Sequence, residues 1–358
     1  MKKNILLITI FIFIILLTLA VYGYYRLFVV STLPPTTEKQ PEVVLVGSQE
    51  FSSFGINSLY ALGKYLYMAE EKGINILDIS NPSNPTTIGF YMVHRAGSRF
   101  GGSWEAPKDI YVLDDHIYIA TPSGLEIANI SNPQKPEFTG YFGTFEEFGA
   151  TANKVLAVDN YFFLGTTNGL LILDISNPTK PVLVGRYDSN LSIDNIFVIS
   201  KDYLYLTGNI KNVAQDKDYL YLVDVSDKSN PKLAKKYSEG FPLPTSIYFV
   251  DNIAYILSIF PKYGLSVFDL SDPEDPVLIG EYEKEISYIK LYILDRYLRK
   301  TSGESLLNID ISDLGKYLSI EGLPKSLGNF YAHGNYIYSV GSAPDKYATS
   351  RLQIFEIK

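Results

Sequence analysis

A chain of 358 residues that is 46% hydrophobic can bury a large core, and its 29 Tyr and 20 Phe against a single Trp suit strands, where aromatic side chains pack on pleated surfaces. The net charge of −8 becomes −11 once residues 1–30 are set aside, since Lys2, Lys3 and Arg26 are that stretch's only charges and 28 basic face 39 acidic residues in the remainder; a surface of that sign repels phosphate backbones and argues against nucleic acid as a partner. Cysteine is absent, which excludes disulfides, thiolate catalysis and cysteine metal sites.

The chain opens with Met1-Lys-Lys3, then an uncharged run from Ile5 to Val21 broken only by Thr9 and Thr18, then Tyr22, Tyr24, Tyr25 and Arg26. About 20 apolar residues span a bilayer, and interfacial tyrosines mark the end of an anchored helix. Residues 1–30 are therefore expected to form a transmembrane anchor. The excess of positive charge before the run places the N-terminus in the cytoplasm and the rest outside the cell membrane. The alternative is a signal peptide cut after Thr18-Leu-Ala20, which would release a secreted protein. Residues 31–41, with Pro34, Pro35 and Pro41, read as a semi-extended tether.

From Glu42 onward one phrase returns. Its fullest form is Gly169-Leu-Leu-Ile-Leu-Asp-Ile-Ser-Asn-Pro178, and the acidic residue or its substitute that ends each apolar strand falls at Asp78, Asn129, Asp174, Asp224, Asp269, Asp310 and Glu356. Spacings of about 40–50 residues denote a closed array or solenoid. Within a unit four strands are expected, as in 151–158, 161–164, 170–175 and 182–187. Two-residue turns such as Asp159-Asn160 and Gly334-Asn335, which accept positive φ, join the first two strands. The third strand is apolar on both faces and must be covered on both, as stacked propeller blades would do. The Asp-x-Ser-Asn-Pro ending has a local reason. Its side chains accept hydrogen bonds from backbone N–H groups two or three residues on, and Pro fixes φ, so the seven carboxylates read as turn caps rather than a metal site.

The last unit, 326–358, lacks a fourth strand and the first is preceded by a spare one. Residues 42–47 are expected to pair with the terminal strand and close the ring, giving an all-β, seven-bladed propeller over residues 42–358. Two units deviate. The sixth lacks the proline after Asp310-Ile-Ser-Asp and carries Arg299 where the others have Tyr67, Tyr118, Phe163, Tyr205, Tyr255 and Tyr338; the fourth carries an insertion over 209–218.

With these phrases in view the chain resembles the LVIVD-repeat β-propellers of bacterial and archaeal surface proteins. The likeness rests on Gly73–Pro82, Gly169–Pro178 and Gly264–Pro273, each followed by a Pro-x-x-x-Gly-x-Tyr strand or a close variant, as in Pro181 to Tyr187. It implies a propeller, an exterior location and a surface binding module, and it carries over no catalytic residue.

Binding on a propeller is expected on the loops from fourth to first strand and from second to third strand, which gather at one end. The longest such loop, 91–105, holds His94, Arg95, Arg99, the only Trp, Trp104, and Glu105, a composition typical of binding hot spots. The next offers Glu146 and Glu147 close to those arginines. Trp104 could instead plug the channel mouth or pack on Phe142. No nucleophile elbow, phosphate loop or His-Glu-x-x-His motif is present, and no cofactor is expected. His94, His116 and His333 belong to different units, His94 at the end opposite the other two, which argues against a three-histidine metal site. Gln215 to Asp218 offers only a weak calcium loop. Asn190 in Asn-Leu-Ser is the better glycosylation site, since Asn129 replaces a capping Asp. The reading is a non-catalytic module for a protein or surface polymer; the alternative is an extracytoplasmic hydrolase or lyase with acidic loops at the channel mouth.

Overall fold

A computed structural model describes residues 41–52, 55–94, 106–189, 191–210, 219–237, 244–250, 252–258, 264–283, 286, 291–293, 329–342 and 349–358. The protein is an all-β propeller of four-stranded antiparallel blades. Blades 1 to 5 are consecutive meanders over 58–92, 109–143, 152–188, 191–237 and 244–282. The closing blade joins Val43–Phe51 to Ser350–Ile357, Tyr336–Ser342 and Asn329–His333, in that order. Val43 pairs with Ile357 and Phe51 with Ser350, so the expected closure by the N-terminal strand is present and longer than 42–47.

The blade count differs from the seven expected. Among the described residues there are six four-stranded blades. The unit ending at Asp310, with its missing proline and Arg299, is not among them; only Ile286 and Leu291–Ile293 of its stretch are described. Those residues sit between neighbours, Ile286 and Leu291 against blade 5 and Tyr292 and Ile293 against the closing blade. The segment expected to cross the membrane, the tether up to Gln40, Asn190 and the 215–218 loop also lie outside the described residues. Among the described residues no helix is long and apolar enough to cross a membrane.

Strand limits follow the local chemistry. In blade 3 they are Ala152–Val158, Tyr161–Thr166, Gly169–Asp174 and Val182–Asp188. The hairpin turns open with positive φ at Asp114, Asp159, Gly63 and Gly334, which Asp and Gly tolerate. Third strands such as Gly169–Asp174 are buried on both faces, because each is sandwiched in apolar clusters shared with the blades on either side. The second strand of blade 4 runs to Ile210, pairing with Leu191, so the inserted segment begins later than Asn209.

The corner between third and fourth strands is a double turn. Asp78, Asp174, Asp224 and Asp269 each accept the N–H of the serine two residues on at 2.8 Å, and Asn129 does so at 3.0 Å. A second acceptor follows, Asn81, Asn132, Asn177, Asp227 or Asp272, taking an N–H two residues on at 3.0–3.3 Å. Hydrogen bonds from Ser80, Ser176, Ser226 and Ser271 hold the first carboxylates below the ordinary aspartate range. These groups are turn caps, as expected.

The glycine of the fourth strand belongs to the same design. A Cβ on Gly140 would stand 2.6 Å from the Pro178 carbonyl oxygen of the next blade, and Gly47, Gly89 and Gly185 face the corners at Pro82, Pro133 and Lys228 more closely still. A one-residue bulge precedes this position in all six described blades and turns the strand toward its neighbour. Thus in the closing blade and blades 1 to 3 the glycine seats the next repeat's corner. Blade 4 carries Lys235 there, and its ammonium instead bonds the Glu274 carbonyl in the corner of blade 5.

Candidate functional site

First strands lie closest to the axis, and those of the closing blade and blades 1 to 4 touch in succession. Their inward positions are aromatic: the Tyr60 ring lies 5.2 Å from Tyr111 and 5.0 Å from Tyr331, and Tyr248 is 6.5 Å from Tyr292. Burial, then the neighbouring phenols, pushes the Tyr60 hydroxyl well above its ordinary range, and burial does the same to Tyr331. Above this cluster polar side chains tie blade to blade. Asn57 donates to the Pro107 carbonyl at 2.7 Å, Asn153 to Ile193 at 3.1 Å, and Asn329 to Ile56. Asp109, buried beside the axis, accepts from Ser58 Oγ at 2.8 Å and from the Val155 N–H at 3.2 Å, with Lys154 Nζ at 3.5 Å. It fastens blades 1, 2 and 3, and its oxygens are taken by these partners.

The end bearing the second-to-third and fourth-to-first loops holds a different kind of group. Among the described residues the buried side-chain atoms without a hydrogen-bond partner are Gln49 Oε1, Asn75 Oδ1, Ser123 Oγ, Glu126 Oε2 and Ser189 Oγ. Ser123 lies in a second-to-third turn, Ser189 just after a fourth strand, and the other three in the halves of their strands nearest this end. The opposite end, with its double-capped corners, contributes none. Buried polar groups are nearly always paired, so their confinement to one end distinguishes it physically.

The most demanding member is Glu126, 1% exposed, the third residue of the strand Gly124–Asn129. The equivalent residues in other blades are Asn75, Leu171, Tyr221, Ser266 and Gln353. Glu126 faces blade 1. Its Oε1 accepts the Tyr91 hydroxyl at 2.5 Å and the His94 N–H at 2.9 Å, and His94 Nδ1 lies 3.2 Å away. His94 Nδ1 is also 3.0 Å from the Tyr91 hydroxyl. Burial, then the bond and charge of Glu126, drives the Tyr91 hydroxyl far above its usual range. The His94 side chain is 56% exposed and meets the ring of Phe138, itself 47% exposed, edge-on at 5.1 Å. One seam back, Gln49 and Asn75 occupy the positions of Tyr91 and Glu126, as counted from Gly47 and Gly73.

Of the residues singled out in the sequence, His94 stands in this cluster, at the root of the long loop. Arg95, Arg99, Trp104 and Glu105 lie outside the described residues. Glu147 is exposed on a one-turn helix, Phe145–Phe148, between blades 2 and 3; the side chain of Glu146 is outside the described set. Phe142 stacks on Phe148 at 6.2 Å. His116 and His333 flank first hairpin turns in separate blades, at the end opposite His94. Among the described residues no group of three His, Asp or Glu converges as a metal site. Glu126 and Tyr91 were not anticipated. The available signal was a charged residue inside Gly-Leu-Glu-Ile-Ala-Asn, where most other units are apolar or carry a neutral side chain.

The LVIVD repeat model matches residues 57–93, 106–144, 149–189 and 198–239. The first three stretches coincide with blades 1 to 3, and the fourth covers blade 4 from the end of its first strand onward. No curated protein matches the sequence. Among solved structures, a Lactobacillus plantarum protein determined as a structural genomics target aligns with a TM-score of 0.49 and 10% identity, over 64% of this chain and 72% of that one.

Proposed function

We propose that this β-propeller, which carries four LVIVD repeats, serves as a non-catalytic binding or scaffold module for a protein or surface polymer, held outside the cell membrane by its N-terminal helix. The contact face is the end that carries the fourth-to-first loops. One observation carries this reading: the unpaired buried polar atoms among the described residues all belong to that end, while the corner end satisfies its own. Unmet polar capacity is costly in a module that keeps it without use, and a ligand that supplies the partners offsets that cost. The buried carboxylate of Asp109 beside the axis is committed to holding three blades together, which supports a module over an enzyme. The run from Ile5 to Val21 supports the anchor.

The absence of cysteine permits a direct test. Single cysteines replacing Glu147 at the loop end and Lys180 at a corner are capped with a bulky maleimide, and capture of envelope components by the full chain is compared. Loss of capture with the Glu147 cap and retention with the Lys180 cap is expected. Loss with the Lys180 cap alone would reverse the assignment.

A further inference from the structure

Resting on that reading, we propose that Glu126, with His94 and Phe138 at its rim, is the seat for a basic side chain, arginine foremost, of a protein partner. A carboxylate only accepts hydrogen bonds. Oε1 already has the Tyr91 hydroxyl and the His94 N–H, with Nδ1 beside it, whereas Oε2 is buried with no partner. The group that completes this site must therefore be a donor, and a cationic one removes the penalty of an uncompensated buried charge.

His94 is bonded to Glu126 and is more than half exposed. Phe138 gives an exposed aromatic shoulder against His94. An acid at the base of an aromatic wall suits the planar guanidinium, which stacks and donates at once. A net charge of −8 draws cations toward the molecule. The neighbouring seam repeats the chemistry more weakly, since Asn75 replaces Glu126 and Gln49 replaces Tyr91.

The probe is a fluorescent peptide amide with arginine between two aromatic residues, compared with its citrulline twin, which keeps the shape and loses the charge. Titrated with the full chain, the arginine peptide is expected to bind about tenfold more tightly. Glu126→Gln keeps the side-chain volume and an acceptor for Tyr91 and His94 while removing the charge, and should abolish that preference; strand signal retained by circular dichroism shows that the variant folds. Phe138→Ala alters an exposed ring and should weaken both peptides about threefold. Equal binding of the two peptides, an arginine preference that survives Glu126→Gln, or no saturable binding up to about 1 mM would overturn the assignment. If the cysteine caps place a partner at the loop end while the two peptides bind alike, the role of Glu126 fails and the face stands; if the corner cap blocks capture, the face fails as well.

Discussion

Gly140→Ala tests how the blades are joined. The backbone at Gly140 is not in the left-handed region, so alanine meets no conformational barrier there, and the loss of unfolded-chain freedom alone would stabilise by about 0.4–1 kcal/mol. The new methyl, however, would stand 2.6 Å from the Pro178 oxygen and 3.0 Å from the Thr179 oxygen. An ordinary carbon–oxygen contact needs roughly 0.6 Å more than the first of these. The obstacle is backbone held by the Asn177 turn, whose acceptor bonds the Thr179 N–H at 3.1 Å, so relief requires parting two blades. Overpacking of this kind costs about 1–3 kcal/mol; its midpoint against the midpoint of that gain leaves a net loss of about 1 kcal/mol and a fall in melting temperature of about 2–4 °C. Gly89→Ala should fall further, since its approach is closer. Thermal unfolding followed by circular dichroism supplies the comparison. Variants that melt at or above the parent would refute the interlocking of glycine and corner.

Two other outcomes follow from the same geometry. Asp174→Ala should lower the melting temperature by removing the cap on the Ser176 N–H, whereas Asp174→Asn should change it little, as Asn129 already caps blade 2. The corner aspartates have folded pKa values below their unfolded ones, so their contribution is full above the unfolded aspartate value and is lost as pH falls through the folded one; acid titration of the asparagine variant should show a smaller loss. At the other extreme, burial raises the phenols of Tyr67, Tyr118 and Tyr338 to about 12. A neutral form favoured by folding stabilises below the unfolded tyrosine value near 10 and loses that stabilisation as pH rises toward 12. Ultraviolet titration should therefore show these tyrosines ionising together with loss of strand signal, and independent ionisation in a folded protein would contradict the burial.

Much of the scaffold was legible because its rules are local and repeated. The Asp-x-Ser-Asn-Pro phrase announced its own corner, and the spare strand near Val43 found its partner at Ile357 because a ring of meanders leaves one place for it. The glycine of the fourth strand was visible as a motif, but its reason was not, since the atom it avoids belongs to another repeat. The count of seven rested on the unit around Asp310, whose phrase is worn, and the described residues form six blades. The site was less legible. His94 was singled out through its loop and lies beside Glu126, whereas Glu126 sits inside a strand whose pattern reads as core, and only the seam between two blades brings it to Tyr91. A sequence shows that a charge is buried in a strand; it does not show which neighbour faces it.

In the proposed function, ligand engages the loop end. Amide hydrogen exchange of the full chain, with and without the captured partner, reads this directly. Protection is expected at Gln49–Phe51, Ser123–Glu126 and around Ser189, with the corners at 79–84 and 175–180 unchanged. Protection confined to those corners would contradict it.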